Sequence, residues 1–437
     1  GVTFLSGLLL GKIQNSESRK KLLQKRMVLA ACVVLNLSLL VYFKYFNFFY
    51  DVLGGILALF RISVATPKVD VLLPVGISFF TLQALGYTID VYRGKVEPER
   101  NFFQYALFVS FFPQLVAGPI ERYENLMPQL REPKHFDDTC VRRGLLTMLW
   151  GLFLKMVIAD RCALYVNEIY ADWTAYHGIQ MISANILFAV QIYCDFMGYS
   201  VIAKGAAQVL GIDLMDNFDT PYLAGSVRDF WRRWHISLSG WLRDYLYIPL
   251  GGNRKGKWRK RLNLLLTFLV SGLWHGANLT FLAWGLLHGV YQVLEDILLP
   301  HMKALAGRIG IRRGNRGICF LRTLFTFLLI DAAWVVFRAE DLPSAVGILM
   351  NSLRFQDISG QAAGLLASFG NWKLFAPLLI GLVLLLTAGL LHKNGKRLQE
   401  VVDRRKPVTR MLLYWCLVIL ILFSTNVGGR EFIYFRF

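Results

Sequence analysis

Residues 226–291 read SVRDFWRRWHISLSGWLRDYLYIPLGGNRKGKWRKRLNLLLTFLVSGLWHGANLTFLAWGLLHGVY. Two polar clusters each hold a histidine, His235 beside Trp234 and His275 between Trp274 and Gly276, inside chain that is otherwise mostly membrane-like. Imidazole takes and releases protons near neutral pH without any special environment. An ionisable group at bilayer depth costs about 2.5–3.5 kcal/mol or more, so its presence there points to a chemical task. That contrast organises the rest of the reading.

Outward from this stretch, the 437 residues are 55% hydrophobic and only 18% charged, too apolar for an ordinary soluble enzyme. A span needs about 20 apolar residues to cross a core of about 30 Å. Segments 27–43, 182–210, 279–299, 321–337, 374–391 and 411–427 come close, and 71–92, 102–117, 145–159 and 262–274 are shorter or more polar candidates. The expected fold is an all-α polytopic membrane protein with roughly nine to eleven membrane helices, some re-entrant or interfacial. Residues 1–437 read as one integral-membrane domain, with 211–300 as its signature region. The chain opens on Gly1 in mid-pattern and without an initiator Met, which reads as a missing N-terminal segment, and no signal peptide is evident.

The net charge of +19 is spread in clusters between apolar stretches, at 19–26, 93–100, 131–143, 254–261, 303–322 and 393–410. This is the positive-inside pattern and suits anionic lipid headgroups. No nucleic-acid recognition fold accompanies the charge. With these clusters in the cytoplasm, 27–43 runs outward, 71–92 returns, 102–117 dips and comes back, 145–159 goes out and 182–210 comes in; after the polar 211–261 region, 262–274 goes in, 279–299 returns and three more crossings leave the C-terminus outside. Cys32, Cys140, Cys162, Cys194, Cys319 and Cys416 form no C-x-x-C pair and read as free thiols. No H-E-x-x-H or Cys/His cluster suggests a metal.

Two local readings carry mechanism. Residues 262–274 make a helix of only about 20 Å, so a start at the basic cluster 254–261 delivers His275 partway through the slab. Polar chain at that depth is tolerated where it lines a cavity or is buried in protein, and Gly272, Gly276 and Gly285 would let neighbouring helices close around it. Residues 227–246 read as one interfacial amphipathic helix, with Phe230, Trp234, Trp241 and Tyr245 at helical spacings among Arg228, Arg232, Arg233 and Arg243. Ser226 and Asp229 form a variant capping box, and Pro249 with Gly251 and Gly252 ends the helix. His235 then lies one turn from Trp231 and from Ser239 on a shared face.

Each candidate has a plainer reading beside the functional one. His275 could be a buried histidine bonded to helix backbone, and His235 an incidental interfacial one. His135, His177, His301 and His392 fall in loops or at span ends, where solvation is the default; His288 either lines the cavity of His275 or packs. Asp195 could orient a histidine or line a substrate path, but a structural ion pair is the simpler account. Ser237 and Ser239 flank His235 without the G-x-S-x-G elbow of a serine nucleophile.

The motifs together resemble the membrane-bound O-acyltransferase family, and within it the branch of the bacterial alginate O-acetylation membrane protein. The resemblance rests on FWRRWHISLS at 230–239, WLRDY at 241–245, IPLGG at 248–252 and LWHGAN at 273–278. It extends to PVGISFF at 74–80, AGPI at 117–120 and NFDTPY at 217–222, with the terminal 432–437 also similar. It implies a ring of membrane helices around a thin centre crossed by a tunnel, in a bacterial plasma membrane. It implies His275 as the catalytic histidine and His235 as the second signature position, which is asparagine in many eukaryotic relatives. The implied chemistry moves an acyl group, acetyl in this branch, from a thioester to a hydroxyl of an extracellular polysaccharide, often through an extracytoplasmic partner of the SGNH-hydrolase type. No bound cofactor is implied; acetyl-CoA or an acyl-carrier thioester is the donor substrate.

On that reading Arg232, Arg233 and the 254–261 cluster meet the donor's phosphates, and Trp234, Ser239, Trp274, Asn278 and Asp195 complete the expected substrate-binding set. His275 is the general base, while His235, Asn278 or a backbone N–H holds the oxyanion. An acyl-histidine relay is the mechanistic variant. Three other readings stay open at this point: D-alanyl transfer to teichoic acid from a carrier protein, a transporter or flippase for a lipid-linked sugar with Asp195 and His275 as coupling groups, and an inactive scaffold that docks an extracellular partner.

Overall fold

In a computed structural model of the chain, residues 1–14, 20–62, 74, 76–115, 118–308, 315–370, 372–396, 398–425 and 432 are described. The expected elements at 71–73, 75, 116–117, 309–314, 426–427 and 433–437 lie outside the described residues. Every regular element among the described residues is a helix. Each of the ten apolar segments read from the sequence overlaps a helix among the described residues, though in 102–117 the helix stops at Ser110 and 112–115 form a turn.

Among the described residues, five helices are long and apolar enough to cross a bilayer: Lys21–Leu59, Gly178–Val209, Arg316–Arg338, Phe375–Lys393 and Pro407–Ser424. Ile77–Arg93, Phe102–Ser110, Asp138–Phe153, Gly256–His275 and Leu279–Arg308 account for the remaining expected segments. Phe102–Ser110 has nine residues and reaches only about 14 Å, too short to cross. Gly178–Val209 is the hub: 67% of its apolar window is buried, against 11% for Lys21–Leu59 and for Pro407–Ser424, whose apolar faces are left for lipid.

Small residues set how closely the hub is approached. Gly144 stacks on Gly205 and Gly151 on Gly198, where an added Cβ would strike backbone oxygen at 2.6–2.9 Å. Gly272 and Gly285 bring the Gly256–His275 and Leu279–Arg308 helices together in the same way, so that a Cβ at either would strike a carbonyl of the other helix. Gly276 lies under the Phe281 ring. The three glycines read from the sequence thus do close the helices around His275.

Two expectations are corrected. The 262–274 helix begins earlier, at Gly256 inside the basic cluster, and has 20 residues, so it is about 30 Å long rather than about 20 Å. Residues 227–246 do not form one helix. They form Val227–Arg233, Ile236–Leu242 and a π-helical turn Arg243–Tyr247, broken at Trp234-His235. Nor does this region lie flat on a surface, since Phe230, Trp231, Trp234 and Trp241 are buried in the core.

Candidate active site

The break at His235 is built by a second segment. Ile236 N–H donates to Asn217 O at 3.0 Å, and Asp219 N–H donates to Arg233 O at 2.9 Å. The Asn217 side chain accepts from Ser237 N–H at 3.3 Å and Ser237 Oγ at 2.6 Å, and donates to Ser200 Oγ at 3.1 Å. Clamped between these, His235 adopts φ 44° and ψ 55°, a left-handed conformation that costs a non-glycine residue about 1–3 kcal/mol and tends to persist at functional sites. Its ring is fully buried against Phe79 (6.3 Å between centroids), Phe196 (4.7 Å) and Trp274 (6.0 Å).

Ser237 Oγ lies 3.5 Å from His235 Nδ1 and has given its own proton to Asn217 Oδ1. The roles at this contact follow the tautomer of His235: the hydroxyl accepts when Nδ1 carries the proton. Nε2 has no hydrogen-bond partner among the described residues.

His275 ends the Gly256–His275 helix and is 4% exposed, which makes it a buried group. Its ring meets Trp274 at 4.9 Å, Trp284 at 5.0 Å and Phe337 at 5.6 Å. Trp274 thus touches both histidines. Trp284 links His275 to a third, His288, at 4.8 Å. His288 Nδ1 accepts from Trp231 Nε1 at 3.2 Å, so its proton sits on Nε2. The indole N–H groups of Trp274 and Trp284, His288 Nε2, and Ser271 Oγ one turn before His275 have no partner among the described residues, and all are buried. Leaving such a group unanswered costs about 1–3 kcal/mol. A cluster of them marks polar interior that water or a ligand completes.

The other expected site residues divide. Trp234 is buried on Phe230 at 5.5 Å and Trp334 at 4.9 Å, packing behind the histidines. Ser239 Oγ donates to Trp234 O at 3.3 Å, so Ser237 rather than Ser239 lies against His235, and Trp231 lies against His288. Arg233 is held by Asp229 at 3.0 Å, while Arg232 is exposed. The Ser226 cap is present, its Oγ accepting from Asp229 N–H at 3.2 Å. Both functions of the Asn278 amide are used: Nδ2 donates to Glu340 O at 2.9 Å and Oδ1 accepts from Thr280 N–H at 3.2 Å. Asp195 pairs with Lys155 at 2.7 Å, and Lys155 also meets Asp160 at 2.9 Å; the neighbouring Phe196 touches His235.

Sequence reasoning missed Asn217 as the clamp of His235, although it lies within the recognised NFDTPY motif. It also missed Lys44 and Tyr45, which bond the carbonyl end of the His275 helix. For Lys44 a signal existed: a lone cation in the run VYFKYFNFFY.

The description of the matching family model over residues 96–307 is membrane-bound O-acyltransferase. The chain is 35% identical to a Pseudomonas putida protein named "Probable alginate O-acetylase AlgI", over 100% of this chain and 89% of that one. The chain belongs to the membrane-bound O-acyltransferase family. It is accordingly an all-α, multi-pass membrane protein and an O-acyltransferase. It is also 37% identical to the peptidoglycan O-acetyltransferase of Helicobacter pylori, over 77% of this chain and 66% of that protein. To the teichoic acid D-alanyltransferase of Streptococcus thermophilus it is 27% identical, over 53% of this chain and 58% of that one.

Proposed function

We propose that this acyltransferase moves an acetyl group from a cytoplasmic thioester, acetyl-CoA or an acyl carrier, across the bacterial inner membrane to a hydroxyl of an extracellular polysaccharide, directly or through an SGNH-type partner. The observation that carries the reading is the pair of buried imidazoles, His235 and His275, in contact with one indole, Trp274, whose own N–H is unanswered among the described residues. His275 is the general base: it takes the proton of the acceptor hydroxyl as its oxygen attacks the thioester carbon, the C–S bond breaks, and the thiolate leaves. A positioned base of this kind contributes about 10²–10⁴ in rate. The buried indole N–H of Trp274 is the donor for the developing oxyanion, since indole nitrogen can only donate. The exposed Arg232 and the basic start of the His275 helix meet the donor's phosphates.

Acetyl transfer is favoured over D-alanyl transfer by the higher identity to the acetylase relatives, 35% and 37% against 27%. The test is transfer from radiolabelled acetyl-CoA by the full chain in proteoliposomes, comparing wild type with His275→Ala and His235→Ala. Turnover lost in a folded, inserted His275→Ala supports the base assignment. Full activity in that variant sinks it.

A further inference from the structure

The Lys21–Leu59 helix is mostly lipid-facing, yet it carries Lys44 among aromatic side chains at mid-length. A lysine there needs a reason, and no carboxylate among the described residues pairs with it. Instead its ammonium donates to Trp274 O at 3.1 Å and to His275 O at 2.8 Å. The next residue, Tyr45, is buried and donates from its hydroxyl to Leu273 O at 2.5 Å. The turn Val41–Tyr45 is π-helical. Such turns are rare, occur mostly as single insertions in α-helices and gather at functional sites.

What these two residues grip is a helix end. After His275 the chain turns extended at Gly276, with φ −167° and ψ 161°, so the last carbonyls of the His275 helix have no partner within that helix. Carbonyls 273, 274 and 275 are answered from a segment about 230 positions away in sequence. A cation is also the charge that a helix C-terminus favours. The peptide that Lys44 holds is the one that carries the His275 imidazole, and rotating that peptide swings the ring.

We propose that Lys44 is a positioning residue for His275: its ammonium, seconded by the Tyr45 hydroxyl, fixes the carbonyl end of the Gly256–His275 helix and with it the aim of the imidazole. This rests on the reading of His275 as the general base. A displacement of about 1 Å at a catalytic group can cost about 10²-fold in rate. Lys44→Met is therefore expected to lower kcat about 10- to 100-fold while the KM for acetyl-CoA changes by less than about twofold. Lys44→Arg, which still presents donors to both carbonyls, restores most of the loss, and Tyr45→Phe causes a smaller one.

The experiment measures kcat, KM and melting temperature for these variants of the full chain in proteoliposomes, with His275→Ala alongside. A fall in kcat at unchanged melting temperature, rescued by arginine, supports the inference. Wild-type kcat per folded molecule in Lys44→Met, with His275→Ala inactive, overturns it and leaves the proposed function standing; so does a loss confined to melting temperature. A fully active His275→Ala overturns the base assignment on which this inference rests.

Discussion

Asn217→Ala tests whether the break at His235 is held from outside its own helix pair. The substitution removes the acceptor for Ser237 N–H and Ser237 Oγ, and the donor to Ser200 Oγ, all in buried surroundings. Two donors of Ser237 are left without it. At about 1–3 kcal/mol for each unsatisfied buried group, less what the hydroxyl recovers by rotating or binding water, the expected loss is about 2–4 kcal/mol. The backbone bond from Ile236 N–H to Asn217 O survives, so the segment loosens rather than detaches. Left-handed strain at His235 of about 1–3 kcal/mol is then no longer opposed by the side-chain clamp, and the imidazole moves off Trp274. Turnover should fall about 10- to 100-fold at temperatures where the variant is still folded. Asn217→Asp, which keeps an acceptor for Ser237 but loses the bond to Ser200, should fall between the two. Thermal unfolding in detergent and acetyl transfer in proteoliposomes give the two readouts. An unchanged melting temperature together with turnover within about twofold of wild type would refute the clamp.

Trp274→Phe keeps an aromatic ring between the two histidines and deletes the N–H; the expectation is a kcat lower by about 10²–10³ with donor KM little changed, and a change in KM alone would count against indole as the oxyanion donor. Outside the membrane-spanning segments, burial works to raise the carboxyl of Glu99, but bonds from Asn101 N–H, the Tyr123 hydroxyl and Arg131 hold it below its ordinary value of 4.5. A depressed carboxylate stabilises the fold above its unfolded pKa and loses that contribution as pH falls through the folded one, so acid should loosen the 96–131 region below about pH 4.5. Glu99→Gln should flatten that limb of a melting-temperature profile; an identical acid limb in the variant would assign it to other groups.

What was legible in the sequence follows from what is local. The apolar segments became helices and Ser226 became a cap because each is decided within a turn or two of chain, and the glycines at 272, 276 and 285 became close contacts because a missing Cβ is legible wherever the neighbour comes from. The break at His235 was not legible. Its flanks keep one amphipathic period from 227 to 246, and the left-handed backbone is imposed by residues 217–219, which no periodicity connects to it. The π-helical turns were equally hidden, yet they share a feature that the sequence did carry. Each bears a charged residue with at least one partner on a distant segment: Lys44 with the carbonyls of 274 and 275, Lys155 with Asp195, and Asp244 with Arg122, although Asp244 also pairs with Arg243 in its own turn. A π turn inserts one extra residue and so rotates the following face. That gives a physical reason for the association, since a helix whose apolar face must meet lipid or core can turn a single charge inward without re-registering the rest. For Lys44 and Lys155 the lone charge in an apolar run was therefore the readable half of the signal, and the rotation that aims it was the half only the structure could supply.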